Sequence, residues 1–83
     1  MIYKIEFLPI AARQYRKLPV RVKSRIFVEL ETIGENPYLG KCLKGQYEGK
    51  MSYRVGDYRI VYKILKSERV VEIHKIGHRR EVY

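Results

Sequence analysis

The chain has little of what builds disulfide frameworks or metal centres. Its one cysteine, Cys42, has nothing to pair with inside the chain and excludes a cysteine-cluster zinc site. That usage fits a reducing compartment, with Cys42 as a small, partly buried apolar residue. Two histidines, His74 and His78, are too few for a histidine-rich metal centre. The nine acidic residues form no carboxylate cluster, so the sequence offers no ligand set for metal catalysis and implies no cofactor. No N-terminal apolar stretch reaches the length of a signal peptide or membrane span, and the expected location is the cytoplasm. Internal repeats, linkers and low-complexity segments are also missing, so residues 1–83 read as a single domain.

What the chain has is positive charge. Eighteen lysines and arginines against nine acidic residues give +9 in 83 residues. Such an excess points to a polyanionic partner. Nucleic acid leads, followed by an acidic protein and then an anionic membrane surface. The bland alternative is a soluble, highly charged protein with no such partner. Hydrophobic residues are 46% of the chain, enough for one core and too many for a disordered tail.

The stretch from Lys50 to Lys66 organises the rest. Two alternating runs, Met51 to Val55 and Tyr58 to Leu65, flank Gly56-Asp57, which is the signature of a β-hairpin with a two-residue turn. Counting outward from the turn, Val55 faces Tyr58, Arg54 faces Arg59, Tyr53 faces Ile60, Ser52 faces Val61, and Lys50 faces Lys63. Met51, Tyr53, Val55, Tyr58, Ile60, Tyr62 and Ile64 fall on one face, the core face. Lys50, Arg54, Arg59 and Lys63 fall on the other. Like charges directly opposite one another cost stability, so their placement suggests that they hold an anion.

Ahead of the hairpin, Tyr3, Ile5 and Phe7 alternate within Ile2 to Leu8 and predict a strand. Pro9 suits a first helical turn, and Ala11, Tyr15 and Leu18 give a short amphipathic helix that Leu18-Pro19 breaks. Val22, Ile26, Leu30 and Ile33 form the stripe of a second helix, Val20 to Glu35, with Phe27 beside it. Gly34 and Asn36-Pro37 stop that helix. Residues 36–49 carry three glycines and a proline and predict a loop, pinned to the core by Leu39, Leu43 and Tyr47.

After the hairpin, Lys66 to Arg69 is a turn and Val70 to Gly77 a third meander strand. Its pairing, counted from Leu65 against Val70, sets Lys63 against Glu72, Val61 against His74, and Arg59 against Ile76. The expected fold is α+β: a mostly antiparallel four-stranded sheet in the order β-α-α-β-β-β, with a helical hairpin on one face.

The tail then lands beside the turn, so Arg54, Arg59 and Arg79 or Arg80 converge on the uncovered face. Guanidinium groups bind phosphate through bidentate forks and stay charged. Tyr83, Tyr47 and Tyr53 are candidate stacking rings, although Tyr53 falls on the core face. Basic groups interleaved with aromatic rings suit single-stranded nucleic acid. RNA supplies its own nucleophile, the 2′-hydroxyl, so such a face could also cleave. Arg54, Arg59 and Arg79 would clamp the developing charge, while Tyr83 would stack on a base or donate a proton. Lys50, His74 and His78 are the available general bases. Lys44, Lys50, His78 and Arg80 are candidate substrate contacts.

Several of these segments resemble one family over essentially the whole chain. They are Leu43-Lys44-Gly45, the run from Tyr53 to Tyr62 with its Arg-Val-Gly-Asp-Tyr-Arg core, and the ending Ile76-Gly77-His78-Arg79-Arg80-Glu81-Val82-Tyr83. With the early helix ending Tyr15-Arg16-Lys17-Leu18-Pro19, they resemble the RelE/ParE superfamily of type II toxins, on the RelE side. The resemblance implies a metal-independent mRNA interferase that enters the ribosomal A site. It also implies a cognate RelB-like antitoxin that holds the toxin inactive. Ribosome and messenger RNA are then its partners, and operator DNA is met only through the antitoxin. The family's basic residue before the turn matches Arg54, the arginine after the turn Arg59, the tail arginine Arg79 and the C-terminal tyrosine Tyr83. A second basic residue, tied in that family to proton abstraction, is Ser52 here, which leaves the base unassigned. A ParE-like gyrase inhibitor, or a member that binds its antitoxin and cuts nothing, is the alternative.

Overall fold

A computed structural model describes the backbone of residues 2–82 and the side chains of residues 2–80. The elements run β1 (Lys4–Phe7), α1 (Pro9–Arg16), α2 (Val20–Glu35), β2 (Lys41–Cys42), β3 (Met51–Val55), β4 (Tyr58–Leu65), β5 (Val70–His78) and α3 (Arg79–Val82). The sheet has five strands, in the order β1-β5-β4-β3-β2. β1 runs parallel to β5, and the other pairs are antiparallel. The α+β class and the helical hairpin are as the sequence predicts. The fifth strand lies inside the predicted loop, where Lys41 pairs with Ser52 and Cys42 with Met51. Two residues are too short a run to show alternation.

The helices form where the apolar spacing places them. Pro9 sits in the first turn of α1, where its missing N–H costs nothing, and Pro19 caps the start of α2. Ala11, Ile26, Leu30 and Ile33 are buried against Ile60, Tyr62, Val71, Ile73 and Ile76 of the sheet. Phe27 stands outside the stripe and is 56% exposed. Gln14, on the polar side of the α1 pattern, reaches inward instead. Its Oε1 accepts the Ile76 N–H at 2.8 Å, on the stretch of β5 beyond the end of the β1 pairing. No helix among the described residues is long and apolar enough to cross a membrane.

The hairpin register is the predicted one from Val55↔Tyr58 to Ser52↔Val61. Gly56 has φ 62°, a left-handed conformation that glycine adopts freely at the first position of a two-residue turn. The β4–β5 register starts as predicted, Leu65↔Val70 and Lys63↔Glu72, and then slips by one residue. Tyr62 pairs with Ile73 but Val61 pairs with Lys75, so His74 is an extra residue on β5. Arg59 consequently faces Gly77, not Ile76. The cause is core packing: Ile73 and Ile76 are both buried, and strict alternation would send one of them to the opposite face. The bulge keeps both inside and sends His74 and Lys75 to the uncovered face together.

The loop after α2 is fixed differently from the expectation. Leu39 is 53% exposed and pins nothing. The anchor is the buried phenol of Tyr62, which donates to the Pro37 carbonyl at 2.6 Å. A Cβ on Gly40 would collide with that hydroxyl and come within 3.0 Å of the Ser52 carbonyl oxygen. Burial, which disfavours the phenolate, pushes the Tyr62 pKa up to about 12.

Gly40→Ala is expected to lower unfolding stability in urea by about 1–3 kcal/mol through overpacking. In the Tyr62→Phe background the added methyl meets no hydroxyl, and its cost should shrink; equal costs in both backgrounds would contradict this anchor. Tyr62 also sets an alkaline limit. An unfolded tyrosine ionises near ~10. The native residue stays protonated to about 12. Across that window the native state binds more protons, so stability falls as pH rises. Tyr62→Phe should lose stability less steeply between those pH values than the unsubstituted protein.

Candidate nucleic-acid interface

The sheet face opposite the helices carries Arg54, Ser52, Arg59, Val61, Lys63, Glu72, His74 and Lys75. Its floor is buried: Ser52 is 3% exposed and Val61 1%. Arg54 and Arg59 are direct cross-strand partners, and their side chains resolve the repulsion by diverging. Arg54 Nε donates to the Gly56 carbonyl at 3.0 Å, which turns it toward the hairpin tip. Arg59 Nη1 lies 3.5 Å from Ser52 Oγ, which turns it back along the sheet. Gly77 stands beside Arg59 and places no side chain between it and the tail.

The tail is docked as its sequence position predicts. The Arg79 N–H donates to the Asp57 carbonyl at 2.8 Å, which fixes the start of α3 at the hairpin turn. Arg79 and Arg80 are exposed there. A fourth arginine, Arg25 of α2, approaches the same turn; its Nη1 is 3.3 Å from where a Gly56 Cβ would stand. Residues of α2 and of the turn, including Val22, Arg25, Arg54 and Tyr58, line one depression. Sequence reasoning missed Arg25, because its position on the helical wheel says nothing of what lies beyond the sheet edge.

The remaining candidates separate. Lys50 is half-buried on the basic side, with Nζ 6.0 Å from the centre of the Tyr47 ring. Lys44 is exposed, directly before the 3₁₀ turn Gly45–Tyr47. His78 lies toward the helices: its ring packs edge-on against Tyr58 at 5.7 Å, and its Nδ1 accepts from the Arg80 N–H at 3.3 Å. It lines a depression with Gln14, Leu18 and Pro19, away from Arg59. His74 shares the face of Arg59 and is tied to Glu72 Oε1 at 2.9 Å. Tyr53 lies on the helix side, where its hydroxyl donates to Glu29 at 2.7 Å. That bond, and then burial, raises its pKa. Tyr83 lies outside the described residues. Chemically, the face offers guanidinium and ammonium donors to phosphate oxygens.

The family described as the ParE toxin of the type II toxin–antitoxin system, parDE, matches residues 5–83. The chain is 32% identical over 85 residues to Toxin RelG of Mycobacterium tuberculosis, covering 100% of this chain and 98% of that one. Toxin RelE of the same organism is 35% identical over 83 residues, covering 98% and 86%. The toxin–antitoxin complex RelBE2 of Mycobacterium tuberculosis contains a chain that superposes with a TM-score of 0.84 at 31% identity, covering 94% of this chain and 99% of that chain.

The burial of Ser52 predicts what a basic residue would do there. Ser52→Lys puts an ammonium under Arg59 in a nearly closed site and is expected to cost about 1–3 kcal/mol or more in urea unfolding. Ser52→Ala, which brings no charge into the site and gives up the hydroxyl's contact with Arg59, should cost less, about 1 kcal/mol. A Ser52→Lys variant as stable as the unsubstituted protein would contradict this packing.

Proposed function

The chain belongs to the RelE/ParE family of type II toxins, and we propose that it is a ribosome-dependent mRNA endoribonuclease that inhibits translation. The observation that carries this reading is the docking of the tail arginines onto the hairpin that bears Arg54 and Arg59. The tail backbone thereby starts its last turn at the hairpin whose strands carry Arg54 and Arg59.

In this reaction the 2′-oxygen of the messenger attacks the adjacent phosphorus. The new 2′-O–P bond forms as the P–O5′ bond breaks, leaving a 2′,3′-cyclic phosphate and a free 5′-hydroxyl. Arg59, with Arg54 and Arg79, stabilises the charge that builds on the phosphoryl oxygens, and each such donor is worth about 10²–10³ in rate. The 2′-hydroxyl proton goes to a base on the same face. Lys50 and His74 qualify by position, whereas His78 packs on the helix side against Tyr58. Tyr83 and Arg80 serve the leaving group and the flanking strand, and Lys44 a phosphate further along. The partners are a RelB-like antitoxin, the ribosome and mRNA in the cytoplasm, with operator DNA reached only through the antitoxin.

Ser52 favours a second reading, a ParE-like gyrase inhibitor or a member that binds its antitoxin and cuts nothing. A buried hydroxyl held at Arg59 is a poor proton acceptor. Expression without antitoxin distinguishes these readings. The expected outcome is growth arrest with amino-acid incorporation stopping first, relieved by Arg79→Ala. Gyrase-dependent DNA breaks with translation intact would contradict the endoribonuclease, and harmless expression would favour the inactive member.

A further inference from the structure

The bulge in β5 also determines what else stands on the basic face. Without the extra residue at His74, Lys75 would follow Ile73 in alternation and point into the core. With it, Lys75 faces Val61 from the same side as Arg59. Its Nζ there lies 6.0 Å from the centre of the Tyr47 ring. Lys50 Nζ lies 6.0 Å from the centre of that same ring. The two ammonium groups therefore stand no more than twice that distance apart, with one half-buried aromatic ring between or beneath them. They come from separate elements: the end of the glycine-rich loop, the residue before β3, and the bulged stretch of β5.

Two cations held near one ring, with no acidic side chain paired to either among the described residues, repel one another until an anion joins them. A nucleotide satisfies all three groups at once, its base lying on the ring and its phosphate between the lysines. Bulges are placed where a strand must re-aim a side chain, and here the side chain re-aimed is a lysine.

We propose that Tyr47, Lys50 and Lys75 form a second nucleotide subsite for single-stranded RNA, beside the arginine site on the same sheet face. Tyr47 is its stacking platform, and Lys75 is its specific phosphate ligand. The subsite rests on the RNA reading of the basic face. It positions a nucleotide of the bound strand next to the one at Arg59, and Tyr47 and Lys75 take no part in bond breaking.

The test is fluorescence anisotropy with a labelled single-stranded 2′-O-methyl RNA, which has no 2′-hydroxyl to attack its own phosphate. Tyr47→Ala should weaken binding about tenfold at fixed salt, as loss of one stacked base does, and leave the salt dependence unchanged. Tyr47→Phe keeps the ring and should bind like the unsubstituted protein. Lys75→Gln should weaken binding and reduce the slope of log affinity against log salt by about 0.7, one phosphate's worth. Thermal unfolding of each variant guards against a merely structural loss.

Unchanged binding by Tyr47→Ala, or equal losses in Tyr47→Ala and Tyr47→Phe, would overturn the stacking role. An unchanged salt slope in Lys75→Gln would overturn the phosphate role. A protein that cuts mRNA on ribosomes but shows no such subsite in these assays would remove this proposal and leave the endoribonuclease standing. One that neither binds the oligonucleotide nor cuts would remove both.

Discussion

The structure depends on a single slipped position between β4 and β5. Val61 and Tyr62 are neighbours on β4, yet their partners, Lys75 and Ile73, are two residues apart on β5. The constraint behind the slip is hydrophobic: Ile73 and Ile76 must both reach the core that α1 and α2 close. Once that is met, the rest follows in sequence. Gly77 comes to stand beside Arg59, His78 beside Tyr58, and the Arg79 amide reaches the Asp57 carbonyl. The position of the tail arginines is thus set by packing several residues earlier. Gln14 supports the same strand from the helix side by satisfying the Ile76 amide.

The uncovered face is organised by repulsion as much as by contact. Arg54 and Arg59 share a register position and turn in opposite directions along the strands, one to the Gly56 carbonyl and one to Ser52. The small buried hydroxyl at Ser52 is what lets Arg59 lie back over the sheet. A long basic side chain there would compete for the same space. The serine at this position is therefore also a packing choice. On the β1 side of the same face, Glu6 and Glu72 are register partners and turn to Lys4 and His74.

Much of this was legible in the residues. Strict alternation around Gly56-Asp57 determines the hairpin register, and the apolar stripe Val22, Ile26, Leu30, Ile33 determines which side of α2 faces inward. The pairing of Arg54 with Arg59 follows from counting along those strands. The bulge was not read, although its signal is present: Ile73 and Ile76 are three apart, a spacing that an unbroken half-buried strand does not allow. β2 was too short to carry a pattern. Hydrophobicity points to Leu39, Leu43 and Tyr47 as loop anchors; Leu39 is exposed and the other two are half-buried, and the loop is also held by a phenol to a proline carbonyl and a glycine that makes room for it. Arg25 and Gln14 act across the sheet edge, and one-dimensional periodicity contains no such information. The position of His78 relative to Arg59 depended on the slip, so it could not be counted correctly without it.

In the proposed reaction this arginine-bearing face holds a messenger phosphate while the 2′-hydroxyl attacks it. Primer extension on mRNA from translating ribosomes, with and without added protein, tests that most directly. The account predicts new 3′ ends within A-site codons, absent on free mRNA and lost with Arg59→Ala although that variant remains folded. Cleavage that persists undiminished in Arg59→Ala, or an mRNA left intact on ribosomes whose translation the protein has stopped, would contradict it.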